Sequence, residues 1–77
     1  MDIDTLEKIN DIRKGELETA IDSAKIVLYM LEQYQESNFD DSVLREYASF
    51  YFKNVAILQN AMIRFGMCDY LLGSDNN

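Results

Sequence analysis

The sequence predicts an all-α protein: an antiparallel two-helix hairpin that dimerises into a four-helix bundle. Three observations lead there. Proline is absent and only three glycines occur, a composition that suits long uninterrupted helices. Apolar residues recur at three- and four-residue steps in two long blocks, which is the spacing of one helix face. A single turn-like cluster, Gln35-Glu36-Ser37-Asn38-Phe39-Asp40-Asp41-Ser42, separates the blocks.

The first helix is expected over about residues 3 to 36. Asp4 is the expected N-cap, with Glu7 three residues on as its capping-box partner. The apolar positions Ile3, Leu6, Ile9, Leu17, Ala20, Ile21, Ala24, Val27, Leu28, Leu31 and Tyr34 form one face. Gly15 costs a helix about 1 kcal/mol relative to alanine. The acids Asp11 and Glu18 nevertheless stay in phase across it, so one continuous helix is expected, with at most a bend at Gly15.

The turn is expected at residues 37 to 40. Asp40 caps the second helix, Phe39 and Leu44 form a hydrophobic staple across the cap, and Asp41 favours the positive end of the helix dipole. The second helix is expected over about residues 41 to 72, with Gly73 ending it in a left-handed conformation and residues 73 to 77 fraying. Residues 1 to 77 therefore read as one domain.

The second helix carries two apolar stripes. Leu44, Tyr47, Ala48, Tyr51, Val55, Leu58, Met62, Phe65 and Leu72 are expected to face the first helix. Phe52, Ala56, Ile63, Met67 and Tyr70 lie further round. A helix that is apolar on most of its circumference needs cover on most of it, and one partner helix cannot supply that. The second stripe is therefore the expected contact with another copy or a partner protein. Phe52 is its leading residue, unless a bent first helix covers it within the monomer.

Size points the same way. A chain of 77 residues has a thin core that commonly needs a disulfide, a metal or a second subunit. There is one cysteine, Cys68, so no internal disulfide forms, and with no histidine and no cysteine pair no metal or cofactor is expected. Cys68 reads as a small core residue.

The same absences argue against an enzyme. Without histidine the usual neutral-pH general base and the serine–histidine and cysteine–histidine nucleophile pairs cannot be built. The stretch Glu36, Asn38, Asp40, Ser42 has the spacing of a calcium loop, but Asp41 stands where glycine is required and Tyr47 where the last acid is required. No glycine-rich phosphate loop occurs.

Fourteen acids against seven bases give a net charge of −7. Direct binding to nucleic acid or to an anionic membrane is disfavoured. The seven bases, Lys8, Arg13, Lys14, Lys25, Arg45, Lys53 and Arg64, are too few and too mixed with acids for the RNA-binding hairpin alternative. Asp4, Glu7, Asp11, Glu18 and Asp22 form an acidic stripe on the first helix. That stripe suits a partner with a basic surface, or it keeps a small protein in solution. The N-terminus is acidic rather than basic-then-apolar, and no apolar run reaches the ~20 residues of a membrane span, so a cytoplasmic protein is expected.

The functional expectation is a non-enzymatic, self-associating interaction module that regulates, inhibits or scaffolds a partner protein. The alternative is an acidic mimic of nucleic acid that blocks the basic channel of a nucleic-acid-handling enzyme.

Overall fold

The computed structural model describes residues 1–75. Asp2 has an extended backbone, and its carboxylate accepts a hydrogen bond of 2.7 Å from the Thr5 amide. That caps helix α1, Ile3–Glu36, whose 34 residues run without interruption through Gly15. The expected cap at Asp4 is thus corrected to Asp2. Starting earlier adds the backbone bond from Leu6 N to Asp2 O at 3.0 Å and leaves Asp4 in the first turn, where a negative charge still suits the dipole.

The chain reverses over residues 37–40. Ser37 Oγ donates to Tyr34 O at 2.6 Å and accepts from the Asp40 amide at 3.1 Å, tying both sides of the turn. Asn38 and Phe39 both have left-handed backbones, with φ of 62° and 61°. That conformation is ordinary for asparagine and costly for phenylalanine. Phe39 meets Tyr34 edge-on, with ring centroids 5.5 Å apart. Phe39 and Leu44, the expected staple pair, both remain partly exposed.

Asp40 caps the second helix, accepting from the Ser42 amide at 2.9 Å. Helix α2, Asp41–Asp75, is 35 residues long. Gly73 has no positive φ, so it does not end the helix as expected. The helix passes through Gly73 to Asp75, and of the tail expected to fray, Asn76 and Asn77 lie outside the described residues. Glycine tolerates a helical backbone at a cost of about 1 kcal/mol, and with no left-handed residue the ladder simply continues.

The two cap carboxylates make a pH prediction. The Thr5 amide lowers the Asp2 pKa and the Ser42 amide lowers that of Asp40, each from an ordinary value of 3.8. Their contribution is complete above that value and is lost as pH falls through the lower folded-state values. Acid should therefore fray both helix starts. Asp2→Ala and Asp40→Ala should lower the melting temperature at about pH 7, and the difference from wild type should shrink as pH falls below 3.8, as read by circular dichroism. An unchanged melt at neutral pH in both variants would remove the caps from the account.

The two helices pack against each other along their length as an all-helical hairpin. The seam repeats every seven residues, the period of a coiled-coil pair. On α2 its centre is Asn54, Ala61 and Cys68, and Ala61 is 0 % exposed. On α1 the buried residues are Ala20, Ser23 and Met30. Small side chains let two backbones approach closely. The amide of Asn54 is absorbed by its own helix, with Nδ2 donating to Phe50 O at 2.8 Å.

The expected seam is met in part. Ala20 is buried, and Leu6, Ile9, Val27 and Tyr34 of α1 and Tyr47, Tyr51, Val55, Leu58, Phe65 and Leu72 of α2 are half-buried, with Tyr47 on the same seven-residue line as Asn54. Leu17, Ile21, Leu28 and Leu31 of α1 stay exposed, as do Leu44 and Met62 of α2. The register is marked by two ion pairs. Arg13 Nη1 reaches Asp69 Oδ1 at 2.7 Å while its Nη2 donates to Asn10, and Arg64 Nε reaches Glu16 Oε1 at 2.7 Å.

Candidate protein interface

The hairpin is a rod of 53 × 18 × 13 Å. Its two helices lie side by side, so it is a single helix deep. Stable domains are built from at least two packed layers, and this rod is one layer. No large side chain is fully buried among the described residues. The chain exposes 5787 Å², whereas a compact monomer of 9.0 kDa exposes about 4,900 Å². The difference of about 900 Å² is close to the ~800 Å² that one partner contributes to a standard protein interface.

The open end of the hairpin fixes which residues share a side. A shallow groove there is lined by Ile3, Glu7, Asn10 and Arg13 of α1 and by Asp69 and Gly73 of α2. Moving along each helix in seven-residue steps keeps that side. Ile3 and Asn10 lead to Leu17, Ala24 and Leu31, and Glu7 leads to Ile21 and Leu28. Asp69 leads to Met62, Val55 and Ala48, and Gly73 leads to Phe52. One flat side of the rod thus gathers the large apolar residues displaced from the expected seam. The sequence holds the signal for this side in its seven-residue repeats, but the displacement shows only once the small-residue seam is known.

The second stripe has a different place. Ala56, Ile63 and Tyr70 recur at seven-residue steps on the outer ridge of α2, away from α1, with Phe52 and Met67 beside them. All five are exposed, with Phe52 at 68 % and Tyr70 at 73 %. α1 does not bend to cover Phe52. The Phe52 ring meets Tyr51 edge-on at 5.7 Å. Ile63, Gly66, Met67, Tyr70 and Leu71 line a shallow, almost wholly apolar groove on this ridge.

The acids Asp4, Glu7, Asp11, Glu18 and Asp22 are all exposed. Asp4, Asp11 and Glu18 recur at seven-residue steps on the outer ridge of α1, opposite the seam. Glu7 lies nearer the open-end groove. Among the described residues Glu16 and Asp69 are drawn into cross-helix ion pairs, and neither belongs to the stripe.

Among the described residues no group of three or more histidine, cysteine or acidic side chains stands together to hold a metal, and no helix is long and apolar enough to cross a membrane. Cys68 is a free, buried thiol of the seam. Comparison with protein-family models, with curated proteins and with solved structures finds no match to this chain.

Proposed function

We propose that the chain is a non-catalytic, self-associating interaction module. Two hairpins pair layer on layer into a four-helix bundle, and the stripe Phe52, Ala56, Ile63, Met67 and Tyr70 offers a further contact to another copy or to a partner protein that the module regulates, inhibits or scaffolds. The observation that carries this reading is the single-layer rod with about 900 Å² of surface beyond that of a compact monomer. Light scattering at micromolar concentration should give twice the 9.0 kDa chain mass. The chain mass itself, with full helicity, would end the proposal.

The acidic row supports a second reading. Its members Asp4, Asp11 and Glu18 lie on the outer ridge of α1, so they stay open in a bundle built through the sides of the rod. A module of this kind would present acids to the basic channel of a nucleic-acid-handling enzyme, and its binding would weaken steeply with salt because exposed ion pairs are screened. Salt-insensitive binding would favour the apolar contact instead.

A further inference from the structure

We infer that a second copy of this chain packs on the side formed by Leu17, Ile21, Leu28 and Leu31 of α1 with Phe52 and Met62 of α2. The inference rests on the self-association proposed above and names its surface. These six large side chains are exposed in the single hairpin, and no described segment of the chain covers them.

Charge separates this side from the others. From Leu17 to Leu31, about 21 Å of helix, the α1 positions on this side are Leu17, Ile21, Ala24, Leu28 and Leu31. The α2 positions beside them are Ala48, Phe52, Val55, Gln59, Met62 and Gly66. None carries a charge. The charged groups Arg13, Asp69, Glu7 and Lys14 gather at the open end, and Arg45 stands near the turn, so they would rim the contact. A polar rim around an uncharged centre is the usual anatomy of an interface.

The opposite side of the rod carries Asp22, Lys53 and the Arg64–Glu16 pair over the same stretch. Pairing there would take Asp22, Lys53 and the Arg64–Glu16 pair out of water at a desolvation cost. The outer ridge of α2 is apolar but only one helix wide, so covering it adds no second layer to α1. Only the uncharged side lets one copy cover both helices of the other, and the ~800 Å² that a standard interface asks of each partner matches the surface in excess.

Analytical ultracentrifugation of the full chain tests the surface. Ile21→Glu and Leu28→Glu should each weaken dimerisation ~100-fold or more, because two copies of the charge enter one apolar contact. Ile12→Glu on the opposite side and Ile63→Glu on the outer ridge should change it less than ~5-fold. Dimers that survive Ile21→Glu and dissociate with Ile63→Glu or Ile12→Glu would overturn this assignment and leave self-association standing. A monomeric wild-type chain would instead remove self-association itself. Because glutamate variants can unfold a thin hairpin, a second measurement avoids them. In a Cys68→Ala chain, a nitroxide on Ile21→Cys should be immobile and shielded from a soluble relaxing agent, whereas one on Ile12→Cys should be mobile and accessible. Equal or reversed mobility would overturn the assignment.

Discussion

Replacing Ala61 by leucine should destabilise the fold by about 1–3 kcal/mol, since overpacking a tight seam displaces its neighbours. Ala61 is 0 % exposed and lies between Asn54 and Cys68, both also buried in the seam. At about 0.05–0.15 kcal/mol per residue, a chain of this length has only about 4–12 kcal/mol in all. Ala61→Leu therefore removes a large part of it, and Ala61→Glu, which also buries a charge, should abolish the folded hairpin. The control is Ala56→Leu in the same helix. Ala56 is exposed on the outer ridge, and leucine is nearly as good a helix former as alanine, so no loss is expected. Urea titrations at one fixed protein concentration would measure both, since association couples concentration to stability. Equal costs at Ala61 and Ala56 would show that the seam is misplaced.

That contrast also explains which features are legible in the sequence. The helices, the turn and the cap at Asp40 follow from local signals, namely apolar spacing, a turn cluster and an aspartate two residues before the amide it binds. The seam follows only in part. Tyr47, Tyr51, Leu58, Phe65 and Leu72 of the expected stripe are half-buried, but pattern reading follows large apolar side chains, whereas most of the fully buried positions are alanine, serine, asparagine and cysteine. Leu17, Ile21, Leu28 and Leu31 dominate the pattern of α1 and lie beside the line of closest packing. They do share a face, but that face is not the one α2 covers. The register is equally hidden, because Arg13 finds Asp69 at a separation of 56 residues and Arg64 finds Glu16 at 48. No local rule links such pairs.

The N-terminal cap shows a smaller limit of the same kind. Both Asp2 and Asp4 stand at the start of the apolar repeat, and the capping-box partner Glu7 favours Asp4. The backbone takes Asp2 because Thr5 presents its amide there and the helix gains further bonds. Asp4 then contributes charge rather than a cap, and it begins the acidic row on the outer ridge.

Reversing that row should separate folding from partner recognition. Glu7, Asp11, Glu18 and Asp22 changed together to lysine move the net charge by eight units, from −7 to +1. The like charges four residues apart, Glu7 with Asp11 and Glu18 with Asp22, repel before and after the change. All four side chains are exposed, and the cross-helix ion pairs use Glu16 and Asp69 instead. Helicity and oligomer mass should therefore be retained, because the seam and the uncharged centre of the proposed contact are untouched and Glu7 stands only at its rim. If a basic partner reads the row, its binding should be lost outright, since attraction becomes repulsion at every position. The measurement has two steps. The partner is first captured on the wild-type chain from native extract, and both chains are then titrated against it at low and moderate salt. Undiminished affinity in the lysine variant, with its fold verified by circular dichroism, would discard the nucleic-acid-mimic reading and leave recognition to the apolar ridge of Ala56, Ile63 and Tyr70. Loss of helicity instead would show that the ridge acids support the hairpin itself, in addition to the two ion pairs that mark its register.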